Sequence, residues 1–194
     1  KNLIILGDSP LANVAMEYAE LQHHWDSIHA ISFEKNDLGE DIESYMPKEN
    51  DEFVTSFFDV DQRKRAVSVI LSKGGVYTNI IHPLSNIHST ARLGLGNIIG
   101  AFVTVSFENV IGNHVFVQDQ CNIGHNCQIG DFSHIFVGAT LSGINTVGEQ
   151  TMIFTRALVY PKVKIGNHSV VGAASVVMRK VKDGDTVAGN PAKK

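Results

Sequence analysis

The stretch CNIGHNCQIGDFSHIFVGA, Cys121–Ala139, sets Ile123, Ile129 and Ile135 six residues apart, with glycine after the first two and histidines between them. Helices repeat near 3.6 residues and strands at two, so a period of six belongs to neither element alone. Counting in sixes from Ile123 in both directions gives seventeen consecutive positions, Ile81 to Val177, every one Ile, Leu or Val. The position two before each, Asn79 to Ser175, holds nothing larger than Val or Asn. This pattern predicts a β-solenoid in which each hexad is a short strand plus a corner, the aliphatic residue points inward, and a small residue fills the turn. Three hexads close one triangular coil, so residues eighteen apart stack on successive coils. Between five and six coils, spaced as strands in a sheet, make an unbroken prism about 25 Å tall. Glycine follows the aliphatic residue at Gly94, Gly100, Gly112, Gly124, Gly130, Gly148, Gly166 and Gly172. The expectation there is a backbone conformation that a side chain would oppose.

Ahead of the hexads the rhythm differs. NLIILG is a short apolar strand followed by a helix from Pro10, with Ser9 as a candidate cap. IHAISF (Ile28–Phe33) and EFVTSFF (Glu52–Phe58) read as further strands around an acidic stretch, and DQRKRAVSVILSKG reads as a helix ending at Gly74 and Gly75. Alternating strands and helices predict a small parallel, Rossmann-like α/β sheet over residues 1–76. The prism is expected over 77–183, with a tail over 184–194. In a nucleotide-binding α/β fold the first strand–helix turn holds phosphate. Here Gly7-Asp8-Ser9-Pro10 keeps one glycine, and Asp8 opposes an anion, so a nucleotide-sugar site and a purely structural domain both stay open.

The 194 residues carry a net charge of -4 and 43% hydrophobic residues, which argues against nucleic acid or an anionic membrane as a partner. No apolar run reaches spanning length and the opening residues do not read as a signal peptide, so a cytoplasmic location is expected. Cys121 and Cys127 fall at inward solenoid positions and read as core residues.

The whole plan, a small α/β domain leading to hexads and ending in AGNPAKK (Ala188–Lys194), resembles the hexapeptide-repeat sugar O- and N-acetyltransferases of the sialic acid and bacillosamine type. The local match is HNCQIGDFSHIFVGATLSG, His125–Gly143. The resemblance implies a left-handed parallel β-helix, a homotrimer with sites between subunits, and acetyl-CoA as co-substrate. The acceptor it implies is an amine or hydroxyl on a nucleotide-linked sugar of surface glycan biosynthesis. It further implies His125 as catalytic base, with His134, Gly143, Ala173, Asn190, Pro191 and Lys193 on the CoA side. Gly7, Ser9, Glu34, Asp59 and Arg63 are the implied substrate-binding residues, and no metal is implied. Where the family has a glutamate after the histidine, this chain has Asn126, which orients an imidazole but supplies no charge; Asp119 or Glu108 is a candidate substitute. The family's Gly-Asp-Asn before a basic helix appears here as Phe58-Asp59-Val60.

Coil arithmetic bears on the same residues. Gly143 lies eighteen after His125, so its amide is expected beside the imidazole, where an oxyanion donor belongs. His134 is nine from His125, half a coil, so the two would meet only across chains. An imidazole, with an ordinary pKa near 6.5, suits proton acceptance at neutral pH, and direct transfer without an acyl-enzyme is expected. Two other functions remain. A zinc hydratase on a trimeric β-helix would need a His pair five apart, and among the histidines only His24 and His29 have that spacing, outside the solenoid. A non-catalytic sugar-nucleotide scaffold is the third reading.

Overall fold

A computed structural model describes residues 1–36 and 39–194, in two units, Lys1–Pro83 and Leu84–Lys194. In the first unit, β1 (Asn2–Leu6) lies between β2 (Ser27–Ile31) and β3 (Asp51–Thr55), and β4 (Val76–Tyr77) pairs with β3 at the edge. All four strands run parallel. Leu3, Ile4, Ile5 and Leu6 are fully buried, the run of apolar residues that a parallel strand covered on both faces requires. Helix α1 (Pro10–Glu20) buries Ala12, Ala15, Tyr18 and Ala19, and α2 (Val60–Ser72) buries Arg63, Ala66, Val67 and Ile70. The expected boundary near Val76 moves, because Val76 and Tyr77 register with Glu52 and Phe53 and extend this sheet. The first unit then runs on through β5 (Ile80–Ile81) to Pro83.

In the second unit every hexad from Asn86 onward contributes a two-residue strand, and each strand pairs in parallel with the one eighteen residues on. Three sheets result, one per prism face. Ile99, Val117, Ile123, Ile135, Leu141, Ile153, Val159 and Val171 are fully buried. The register shortens at the end: Val171 pairs with Val187 and Ile165 with Val181, sixteen apart.

The corners correct one expectation. The glycines after the aliphatic positions have ordinary backbone angles; the left-handed residue comes three after the aliphatic one. It is Phe102, Glu108, His114, Gln120, Asn126, Phe132, Ile144, Gln150, Arg156, Lys162, His168 and Ala174 in turn, with φ between 53° and 64°. The glycines are instead required by the neighbouring coil. A Cβ on Gly124 would stand 2.6 Å from the Ser142 carbonyl oxygen, and one on Gly130 2.5 Å from the Glu149 amide nitrogen. Inward polar residues complete the corners: buried Asn109 donates to the Ser106 carbonyl at 2.7 Å and accepts from the Cys127 amide at 2.7 Å.

Candidate active site

His125 sits at the corner after the inward Ile123, between two stacked neighbours. One coil below, the Phe107 ring lies nearly parallel to the imidazole, with centroids 5.1 Å apart and planes at 8°. One coil above is Gly143, where a Cβ would come 3.2 Å from His125 Nε2. A side chain there would crowd the nitrogen, so glycine keeps it accessible. The other nitrogen, Nδ1, is 2.9 Å from Asn126 Oδ1. Asn126 occupies the left-handed corner position at φ 55°, a conformation Asn tolerates better than most residues. Its Nδ2 donates to Glu108 Oε2 at 2.7 Å, one coil down. The Glu108 amide in turn donates to Thr90 Oγ1 at 2.9 Å, and Thr90 Oγ1 is 3.0 Å from His88 Nδ1. The column Thr90, Glu108, Asn126 thus runs beside the column Phe107, His125, Gly143. Thr90, Arg92, Glu108, Val110, Asn126 and Gln128 line a polar cavity of about 550 Å³ against it.

Of the two candidate orienting carboxylates, Glu108 is joined to this network, whereas Asp119 accepts from the Ala101 amide at 2.7 Å at another corner. Gly143 lies beside the imidazole, but its N–H donates to Asn145 Oδ1 at 3.0 Å. Asn145 is itself buried and held by the Tyr160 and Val163 carbonyls. The amide therefore points into the core, and the oxyanion-donor role expected for it is not available in this geometry. Phe107 is the residue that sequence reasoning passed over; the eighteen-residue rule that finds Gly143 also finds it one coil in the other direction. The cysteines are buried, and burial pushes the Cys121 thiol up to about 12 and raises that of Cys127, so neither is a ready nucleophile.

His134 lies on another prism face and is 1% exposed in the protomer, stacked on Phe116 (4.8 Å) and Phe136 (3.8 Å). Near the end of the chain, Met178, Arg179, Pro191, Ala192 and Lys193 line a cavity of about 470 Å³. Two cations beside apolar side chains fit the phosphates and the base of a nucleotide-bearing coenzyme. Pro191 and Lys193 fall in this lining, whereas Ala173 and Asn190 are exposed outside it.

In the first unit, Gly7, Asp8, Ser32, Glu34, Lys35 and Asn36 are among the residues around a cavity of about 240 Å³. Gly7 has φ 143°, and a Cβ there would meet Ser56 Oγ at 2.5 Å. Ser9 Oγ donates to the Ser56 carbonyl at 3.3 Å and makes no cap to α1. Asp59 is the cap of α2, accepting from the Gln62 amide at 2.8 Å. Arg63 is 2% exposed, and burial, opposed by Asp59, lowers its pKa to about 10. Gly7 and Glu34 are thus brought to one cavity, while Ser9, Asp59 and Arg63 are engaged elsewhere. No group of three or more His, Cys, Asp or Glu able to hold a metal ion occurs among the described residues. Among those residues, no helix is long and apolar enough to cross a membrane.

No protein-family profile matches the chain. GDP-perosamine N-acetyltransferase of Escherichia coli O157:H7 is 32% identical over 136 residues, 68% of this chain and 62% of that protein's length. The acetyltransferase domain of PglB from Neisseria gonorrhoeae, solved with acetyl coenzyme A, superposes with a TM-score of 0.91 at 26% identity, covering 99% of this chain and 98% of that domain. PerB from Caulobacter crescentus, solved with CoA and GDP-perosamine, superposes with a TM-score of 0.91 at 24% identity over 100% of this chain and 96% of that one. The fold they share is a left-handed parallel β-helix of about 6 turns.

Proposed function

The chain belongs to the hexapeptide-repeat sugar acetyltransferases, and we propose that it transfers the acetyl group of acetyl-CoA to the amine of a nucleotide-linked amino sugar, directly and with His125 as general base. The observation that carries this reading is the imidazole itself, lying on Phe107, held through Nδ1 by Asn126, and with Nε2 left accessible beneath a glycine. Acetyl-CoA supplies an activated acyl carbon. Nδ1–H donated to Asn126 Oδ1 leaves the Nε2 lone pair to take the proton of the attacking amine as the new C–N bond forms and the C–S bond breaks. The leaving thiolate takes up a proton, so no covalent enzyme intermediate is needed, in keeping with the buried, protonated cysteines.

The cavity bearing Arg179 and Lys193 is the proposed seat of the coenzyme's nucleotide end, and the cavity at Gly7 and Glu34 that of the nucleotide carried by the acceptor sugar. Rossmann-like is our reading of the four-stranded parallel sheet, and we assign the active unit as a homotrimer. His134 lies half a coil from His125, so a shared cleft draws the two from different chains. An amine is preferred to a hydroxyl because the E. coli relative is named as an N-acetyltransferase. Purified protein is to be incubated with acetyl-CoA and GDP-, UDP-, dTDP- and CMP-linked 4-amino sugars, with free thiol and product mass followed. One acetylated sugar with stoichiometric CoA release is expected. Binding of a nucleotide sugar with no turnover across the panel favours the scaffold reading, and zinc in stoichiometric amount with CO2 hydration favours the hydratase.

A further inference from the structure

The histidine at the corner is useful as a base only in one of its two neutral tautomers, the one with hydrogen on Nδ1 and a lone pair on Nε2. What fixes that choice is the atom presented to Nδ1. Asn126 can present either its oxygen or its nitrogen, since the two ends of an amide have nearly the same shape and differ only in whether they accept or donate. Asn126 by itself therefore selects nothing. Its other end, however, meets Glu108 Oε2 at 2.7 Å. An ionised carboxylate has no hydrogen to donate, so the amide must turn its Nδ2 toward Glu108. Oδ1 is then the end that faces His125 Nδ1 at 2.9 Å, and an acceptor there requires the hydrogen on Nδ1.

We infer that Glu108 is a positioning residue whose carboxylate, acting through the Asn126 amide, selects the His125 tautomer in which Nε2 is the free base. The inference rests on the acetyl-transfer reading for its catalytic consequence and on geometry alone for the tautomer. Each link is held independently. Glu108 and Asn126 both stand at the left-handed corner position of their coils, which sets their side chains one above the other. The Glu108 amide is anchored on Thr90 Oγ1. The Phe107 face holds the plane of the ring, and the contact from Nδ1 to Asn126 Oδ1 sets which edge of it faces the amide. The other ionisable groups around this pair are Arg92, across the shared cavity, and His88, on Thr90. Among the described residues, neither is hydrogen-bonded to the Asn126 amide, whereas the carboxylate is. The arrangement also restores what Asn126 lacks: the negative charge stands one residue further from the ring and reaches it through a polarised amide.

The test reads the tautomer directly. The full chain is labelled with 15N-histidine, and long-range 1H–15N spectra are recorded in mildly alkaline buffer, with the His125 signals identified by their loss in H125N. The wild type is expected in the Nδ1–H form. In E108K an ammonium, which only donates, pulls Oδ1 to itself, presents Nδ2 to the ring and inverts the tautomer. With Nε2 then carrying hydrogen, kcat is expected to fall by about 100-fold, the contribution of a positioned base, while KM for acetyl-CoA stays within about twofold. E108Q offers the amide either orientation, so about half the molecules carry the wrong tautomer and kcat falls about twofold. E108Q/N126D rebuilds the chain with its amide and carboxylate exchanged, and it is expected to regain the Nδ1–H form and kcat within about twofold of the wild type. Far-UV circular dichroism and a melting curve confirm that each variant is folded; the isosteric E108Q and E108Q/N126D carry the test if E108K is not. Nδ1–H signals that persist unchanged in E108K, or in E108Q with no second population, overturn the proposal whatever the activity. An inverted tautomer in a protein that acetylates no sugar leaves the tautomer lock standing and refutes the acetyl-transfer reading alone.

Discussion

Each group at the corner is defined by what its neighbours leave it. Gly143 makes the point most simply: φ 135° strains any residue with a side chain, and a Cβ position 3.2 Å from Nε2 makes the imidazole give way by a few tenths of an ångström. Gly143→Ala is therefore expected to lower kcat by about tenfold or more through displacement of the ring, since small misplacements of a catalytic group are costly. It should also destabilise the fold by about 1–3 kcal/mol through backbone strain, and both effects are read from the same purified variant. The cysteines supply a second expectation. With the Cys121 thiol pushed up to about 12 by burial and Cys127 raised by the same cause, neither is appreciably ionised at neutral or mildly alkaline pH. A thiol-reactive chromophore should titrate no cysteine in the native protein at about pH 8 and both after denaturation. Rapid reaction of either in the folded protein would reopen covalent catalysis.

Among the elements, the coil corner carries the most information. Twelve side chains as different as Phe, Glu, Arg and Ala occupy the left-handed position, so no residue signature marked it in advance. The glycines do mark the corner, but for closeness of the next coil rather than for backbone freedom. This yields a paired expectation at adjacent corners. Gly130→Ala puts a Cβ 2.5 Å from the Glu149 nitrogen and should cost about 1–3 kcal/mol or more, as overpacking does. Gln150→Gly, at φ 54°, should be close to neutral or stabilise by up to about 1 kcal/mol, because it relieves a left-handed side chain. The reverse order in melting experiments would refute the account of the corner. In the first unit, β3 begins at Asp51. Burial tends to raise its pKa, but hydrogen bonds from Asn2, the Lys48 amide and the Tyr45 hydroxyl outweigh it and hold the carboxyl below the usual range. A depressed folded pKa gives stability that is present above the unfolded value, near 3.8, and is lost as pH falls through the folded one. Asp51→Asn should thus lower stability at neutral pH and flatten its loss below about pH 4, as followed by denaturant titration across pH.

Taken together, what could be read in advance was what geometry repeats. Closure of a triangular coil demands an inward aliphatic residue every sixth position, and that requirement exposed the prism, its eighteen-residue stacking and the neighbourhood of His125 and Gly143. What could not be read were choices made by single contacts. Val76 and Tyr77 joined the first sheet because Glu52 and Phe53 offered a free edge, and the Gly143 amide turned inward because Asn145 accepts it. Assembly was an expectation from the family resemblance and from coil arithmetic, since one chain places His125 and His134 on different faces, and it is left to measurement in solution. Sedimentation is expected at about three times the 21.2 kDa of the chain. The most direct test is acetyl transfer by H125N compared with the wild type, measured by product mass with saturating acetyl-CoA and the best nucleotide-linked amino sugar. The expected result is a folded variant of unchanged coenzyme affinity whose kcat is lower by about 100-fold or more. A variant that acetylates the sugar at the wild-type rate would contradict it.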